Sequence, residues 1–338
     1  MTTLLAIESS CDETAAAVLR DGRELVCSHV SSQIAIHAKT GGVIPEIAAR
    51  AHVEAMPVVV GEALKSLSGG WDEIDAIAVT RGPGLVGCLL VGTAYAQMAA
   101  VARKVPVVGV SHLAGHVYSA WLSDTGLEPP YLALLVSGGH SECVLLREHG
   151  AAEELLATRD DAAGEAYDKV ARLLGLPYPG GPVLDKLARE GDPARFSLPS
   201  TSLSDSLSFS GLKTAVRYLV RDLPVTAYLE DGSLDRQVQA DIAAAFQARV
   251  IAQLTGALER AQERTRAQQI ALVGGVAANS GLRAAVLERF SGLKVVIPPM
   301  ALCTDNAAMI GAAGWNRIQT SGYDRDGFDA DPGLRLFA

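Results

Sequence analysis

The sequence predicts an α/β fold written twice in one chain. Three observations carry that expectation. Apolar strand-like runs alternate with helix-like segments along all 338 residues, two hairpins share one plan, and three paired elements follow one another in the same order in both halves. The first hairpin is the strand Leu4–Glu8, the turn Ser9-Ser10-Cys11-Asp12-Glu13-Thr14 and the return Ala15–Leu19. Its echo is Tyr131–Val136, the turn Ser137-Gly138-Gly139-His140-Ser141 and the return Glu142–Leu146. Small residues dominate both turns, and their free amides suit an anion. The second pair is the strand Ile74–Val79 with the loop Arg81–Gly87 and an Ala/Gly-rich helix through Val101. It is echoed by the strand Gln269–Val273, the loop Gly274–Asn279 and a helix through Arg289. In the third pair, the strand Val105–Val110 feeds a helix that opens at His112, and the strand Leu293–Ile297 feeds Pro298-Pro299 and then Thr304–Met309.

A chain of 338 residues exceeds the roughly 250–300 at which single cores stop growing, so two domains are expected. They are expected at 1–125 plus about 300–338, and at about 126–299. No window approaches the ~20 uninterrupted apolar residues of a membrane span, and the amino-terminal run lacks the basic region of a signal or transit peptide. Cys11, Cys27, Cys88, Cys143 and Cys303 form no CxxC pair, which argues for reduced thiols and a cytoplasmic protein. The net charge is −9 and there is no run of five or more basic residues, so nothing in the global charge advertises nucleic acid. A nucleic-acid partner would need a local patch; Lys213, Arg217 and Arg221, spaced four apart, offer a helix face that solvent alone also explains.

The chemistry concentrates in a few positions. His112 and His116 are four apart at the start of a helix, one face and one metal ion away from each other. The glutamate of HExxH is missing between them, which weakens a metalloprotease reading. Asp305 holds the equivalent place in the second half, after a strand and near a helix start. Ligands of open α/β sheets sit beyond the carboxyl ends of strands, so the three side chains are expected to meet as two histidines and a carboxylate with open coordination positions. A plain helix N-cap is the alternative for Asp305. The amides around Ser137-Gly138-Gly139 suit a phosphate if glycine supplies close approach and positive φ; a type I′ hairpin turn is the alternative.

These stretches together resemble the superfamily of actin, sugar kinases and Hsp70, the ASKHA fold, and within it the TsaD family of tRNA threonylcarbamoyladenosine transferases. The resemblance rests on residues 7–14 (IESSCDET), 37–45 (HAKTGGVIP), 81–87 (RGPGLVG), His112 with His116, 134–140 (LLVSGGH), 161–169 (DAAGEAYDK), 178–182 (YPGGP), 208–214 (SFSGLKT), 274–279 (GGVAAN) and 303–306 (CTDN). Ser111, where many relatives carry another residue, and Ala278 depart from the pattern. The resemblance implies duplicated actin-like, RNase H-like domains with a nucleotide and metal site in the interdomain cleft. It implies transfer of a threonylcarbamoyl group from threonylcarbamoyl-AMP to N6 of adenosine 37 in tRNAs that read ANN codons, with AMP released.

It also implies one metal ion, iron or zinc, on His112, His116 and Asp305, and a nucleotide site, open also to ATP or AMP, on Leu135, Val136, Ser137, Gly138, Gly139, Asp168, Gly181, Asp185 and Asn279. On the residues alone, Asp168 reads as a solvated helix residue and Asn279 as a helix N-cap. Asp12 and Glu13 are the candidates to receive the proton of the attacking amine. The implied partners are tRNA, a TsaB-like paralogue, a TsaE-like ATPase and a separate enzyme that makes the adenylate, with no membrane. The rivals are a carbamoyltransferase of the same fold acting on a small molecule or protein, a metalloprotease, a nucleotide-dependent scaffold and a sugar kinase; a kinase would hold hydrated Mg²⁺ on carboxylates, not imidazoles.

Overall fold

The structure, a computed structural model, describes residues 1–200 and 206–336; the last two positions of the expected first domain, 337–338, lie outside them. It falls into two compact units, one of residues 1–130, 146–152 and 298–338, the other of 131–145 and 153–297.

In the first unit, β1 (Thr3–Glu8) is buried along its whole length, as Leu4-Leu5-Ala6-Ile7 requires of a strand covered on both faces. Strand β2 (Glu13–Arg20) pairs with it antiparallel and β3 (Glu24–Ser32) extends the hairpin. A short turn of helix α1 (Ile34–His37) leads to α2 (Pro45–Leu64). Then β4 (Ala76–Gly82), α3 (Val86–Arg103), β5 (Val107–Ser111) and α4 (His112–Ser123) follow, with β4 and β5 parallel to β1. The sheet order is β3-β2-β1-β4-β5. Helices α2 and α3 cover one face, where Leu5, Ile7, Val18, Ile77 and Val79 meet Met56, Val60 and Ala96. By length and composition α3 can cross a membrane; here its Cys88, Leu89, Gly92, Thr93, Ala96 and Ala100 face is buried.

The second unit repeats the order. Strands β6 (Tyr131–Val136), β7 (Ser141–Glu148) and β8 (Ala151–Ala157) come first, then the helices α5 (Ala163–Leu173), α6 (Gly180–Ala188), α7 (Ser210–Arg221) and α8 (Arg236–Thr265). Strand β9 (Gln269–Val273), α9 (Ser280–Arg289) and β10 (Lys294–Val296) complete it, and the sheet runs β10-β9-β6-β7-β8 with β9 parallel to both β6 and β10. Read from β8, this is the first sheet strand for strand. The duplication inferred from the sequence is therefore real, and the fold is of the actin-like α/β class.

The chain then re-enters the first unit. After α10 (Met300–Cys303), helix α11 (Ala307–Ser321) lies across the free face of the first sheet. It approaches so closely that a Cβ on Gly311 would stand 2.2 Å from a Leu19 methyl, and one on Gly314 2.6 Å from Ala78 Cβ.

Candidate functional site

The carboxyl ends of β1, β4 and β5 lie on one edge of the first sheet, where ligands of parallel α/β sheets collect. β1 ends at Glu8, which is wholly buried. Its Oε1 accepts the Ser10 amide proton at 2.5 Å and its Oε2 the Thr80 hydroxyl at 2.5 Å. The same Oε2 is 3.1 Å from His112 Nδ1. β5 ends at Ser111, whose hydroxyl caps α4 by accepting the Ala114 N–H at 3.4 Å. The departure at position 111 thus fixes the start of the histidine helix.

His112 and His116 stand edge to face with ring centroids 4.7 Å apart. Asp305 comes from the link between α10 and α11. It is not the helix cap, because Asn306 takes that role by accepting the Met309 N–H at 2.9 Å. Asp305 Oδ1 lies 3.6 Å from His112 Nε2 and 3.2 Å from His116 Nε2, and the three ligand atoms are all within 4.8 Å of one another. Two donors about 2.1 Å from one ion at ordinary angles are about 3.0–3.4 Å apart, so a small shift closes the triad. His116 has no exposed surface, its Nδ1 has no hydrogen-bond partner, and its Nε2 faces the Asp305 carboxylate. A buried imidazole so poorly paired is costly unless a cation takes a lone pair. The residues therefore fit a metal ion bound by two nitrogens and an oxygen. Burial works against a charged His112, but Glu8 and Asp305 outweigh it and raise its pKa to about 9; the pocket calls for positive charge. Burial, reinforced by the Asp12 and Asp305 carboxylates, pushes the Cys11 thiol far up.

Asp12 and Glu13 flank this site at the start of β2. Burial raises both, and the charge of Asp305 adds to Asp12; Glu13 reaches about 7 although Ser32 donates to its Oε1 at 2.8 Å. The turn is pinned from α2 by His52, whose Nε2 donates to the Cys11 carbonyl at 3.0 Å while Nδ1 accepts the Thr14 hydroxyl at 2.7 Å. Glu8, Thr80 and His52 escaped the sequence reading. A glutamate closing a run of four apolar strand residues was the one available signal.

In the second unit, Leu135 and Val136 are fully buried in β6. The loop after them is closed by Ser137 N–H to the His140 carbonyl at 2.8 Å and His140 N–H to Ser137 Oγ at 3.1 Å. Neither Gly138 nor Gly139 adopts positive φ, so the type I′ turn and the left-handed role given to these glycines are both set aside. A Cβ on either would touch nothing. The strict glycine requirements lie elsewhere: on Gly164 of α5 a Cβ would stand 2.6 Å from the Ser137 carbonyl oxygen, and on Gly274, at φ +93°, 2.4 Å from that of Val136.

Asp168 Oδ1 accepts the Gly180 N–H at 2.8 Å, which seats the start of α6; beside it, Gly181 faces open space. Asp185 and Asn279 meet through Gln247. Its Nε2 donates to Asp185 at 3.0 Å and its Oε1 accepts from Asn279 Nδ2 at 2.7 Å. Asn279 Oδ1 also caps α9 through the Leu282 N–H at 2.9 Å. Ser280 and Arg189 also donate to Asp185; these bonds outweigh its burial and hold its carboxyl below the ordinary range. Lys213 pairs with Asp161 at 2.7 Å and Arg221 with Asp222, so the basic stripe on α7 is partly neutralised.

Comparison with known proteins agrees with this architecture. The family model described as TsaD, tRNA N6-adenosine threonylcarbamoyltransferase, matches residues 24–312. Proteins named tRNA N6-adenosine threonylcarbamoyltransferase are similar over nearly the whole length. That of Bacillus cereus is 48% identical over 100% of this chain and 97% of its own. That of Gloeobacter violaceus is 50% identical over 94% and 91%. Among solved structures, full-length HypF in the phosphate- and nucleotide-bound form superposes with a TM-score of 0.62 at 14% identity, over 96% of this chain and 47% of that one. Component A of the Acidaminococcus fermentans (R)-2-hydroxyglutaryl-CoA dehydratase does so at 0.52 and 16%, over 94% and 96%. At such identities these two speak for the fold alone. The chain belongs to the TsaD family of tRNA N6-adenosine threonylcarbamoyltransferases.

Proposed function

We propose that this protein makes threonylcarbamoyladenosine in tRNA by moving the threonylcarbamoyl group of threonylcarbamoyl-AMP onto N6 of adenosine 37 in tRNAs that read ANN codons. The N6–carbonyl bond forms, the carbonyl–phosphate oxygen bond breaks, the N6 proton is lost and AMP departs. The observation that carries the reading is the convergence of His112, His116 and Asp305, with Nε2 of a fully buried His116 turned to Asp305 and its Nδ1 unpartnered. An iron or zinc ion there supplies Lewis acidity to oxygens that gain negative charge, and the N,N,O donor set suits either.

The chain's own groups do the rest. Amides of Gly138 and Gly139 suit a phosphate across a loop edge that no side chain fills, in a loop that the Ser137 N–H closes onto the His140 carbonyl. Asp168 and Asp185 serve ribose hydroxyls, with Gly181 leaving room for the nucleoside and the Asn279 side chain at its margin. Glu13, whose carboxyl titrates near 7, receives the amine proton late in the transfer, with Asp12 as its neighbour. Helices α2 and α3 present an apolar groove of about 740 Å³ lined by Val53, Trp71, Val91, Tyr95 and Met98, and Val53 and Met98 are 60% and 67% exposed. A surface of that kind suits the TsaB-like paralogue, with a TsaE-like ATPase and a separate adenylate-forming enzyme completing a cytoplasmic pathway.

The test is mass spectrometry of nucleosides from bulk tRNA of cells depleted of the protein and complemented with wild type or His112→Ala. Threonylcarbamoyladenosine is expected to vanish and to return only with wild type. Its persistence at the normal level without any second copy would overturn the reading.

A further inference from the structure

We propose that Glu8 is a positioning residue that selects the tautomer of His112, holding the ring proton on Nδ1 so that Nε2 meets the metal as a bare lone pair. The inference rests on the metal reading above and extends it one residue outward. Nε2 is the nitrogen that faces Asp305, at 3.6 Å. With Nε2 given to the ion, Nδ1 carries the proton, and Glu8 Oε2 is its acceptor at 3.1 Å, backed by Ser10 Oγ at 3.2 Å. Glu8 itself cannot turn away: Ser10 N–H holds one oxygen and the Thr80 hydroxyl the other, and no part of the residue reaches solvent. His116 has nothing comparable behind its ring: its Nδ1 has no hydrogen-bond partner, and its Nε2 faces Asp305 at 3.2 Å. The two imidazoles are therefore unequal, one preset by a carboxylate at Nδ1 and one without such a partner. A carboxylate behind a ligating histidine fixes ring and tautomer, and its loss typically costs about 10–100-fold in metal affinity.

The isosteric change Glu8→Gln separates this role from a structural one. The Ser10 N–H can only donate, so it fixes the amide oxygen of the glutamine at the Oε1 position, and the NH₂ falls where Oε2 was. There it donates to His112 Nδ1, which demands a bare Nδ1 and puts the proton on Nε2, the atom the metal needs. The Thr80 hydroxyl rotates to donate elsewhere, and the packing is unchanged.

The experiment is a zinc titration of the purified full-length chain against a chromophoric chelator, for wild type, E8Q and D305A. The thermal midpoint in chelator and the ¹⁵N imidazole spectrum of each are recorded alongside. We expect E8Q to melt like wild type, bind zinc about 10–100-fold more weakly and show His112 as the Nε2–H tautomer. If E8Q binds zinc as wild type does while D305A has lost it, Glu8 does not select the tautomer and the metal reading stands. If neither wild type nor D305A takes up zinc, the metal reading falls and the role of Glu8 falls with it.

Discussion

The turn between β1 and β2 and the turn between β6 and β7 occupy the same place in two copies of one sheet, yet they are lined with opposite chemistry. Around the first stand Glu8, Asp12 and Glu13, with His112, His116 and Asp305 beside them. The second, Ser137 to His140, has no carboxylate and two glycines whose outer side is open. On the proposed function, one scaffold position serves a cation in one unit and an anion in the other. The backbone supplies the place, and the lining atoms choose the sign.

The strongest way to break the comparison is at Asp305. Asp305→Ala or His116→Ala is expected to abolish metal uptake and transfer while nucleotide binding by the second unit, followed by calorimetry with AMP, stays near wild type. Loss of AMP binding in both variants would show that the two linings are not separable functions.

The glycines sharpen it next. Gly164→Ala forces a Cβ against the Ser137 carbonyl, with helix backbone on its own side and loop backbone on the other, and is expected to cost about 1–3 kcal/mol in urea unfolding. Gly138→Ala meets open space and an ordinary φ. It should melt like wild type and lose affinity for AMP only, because the methyl stands where the phosphate would.

The smallest effect concerns pH, and here the two hairpins agree. Burial raises Glu13 to about 7, with Asp12 and Asp305 adding to it, and burial raises Glu142 at the start of β7 to about 7, with Glu154 adding. A raised carboxyl keeps its proton in the folded chain where the unfolded chain has released it, so stability falls as pH rises from about 4.5 to about 7. Glu142→Gln, at a site only 7% exposed, should gain about 1–3 kcal/mol over wild type at pH 8 relative to pH 4.5. Glu13→Gln, partly exposed, should gain less. Thermal melts of the three proteins across that range decide it, and parallel curves would refute the shifts.

Local pattern explains what was legible in the sequence. An apolar run before a small-residue turn announced β1 and β6, and the strand Gln269–Val273 appears with the bounds its β-branched and aliphatic run suggested. The pairing of His112 with His116 follows from helical spacing; the duplication argument singled out Asp305 but set it in the second half, whereas its segment, 298–338, belongs to the first unit with the histidines. What stayed hidden depends on contacts far apart in the chain. Glu8 meets Thr80 across 72 residues and His112 across 104, and no periodicity reports such distances. The glycines misled for a related reason. Gly138-Gly139 looks like a conformational requirement, whereas the real constraints, at Gly164 and Gly274, come from neighbours that only the tertiary fold supplies.

Helix α11 has a consequence for how the chain is made. All five strands of the first sheet are synthesised by Ser111, but the face holding Leu19, Ala78 and Val110 waits for Gly311 and Gly314 to cover it. That cover arrives on the order of 200 residues later, roughly 10–40 s at the ~5–20 residues per second of translation. By then every strand of the second sheet has emerged. The half translated first is the half completed last. Through that interval the face of the first sheet has no α11 to cover it, and any chain cut short before Asp305 carries His112 and His116 without the third member of the candidate triad.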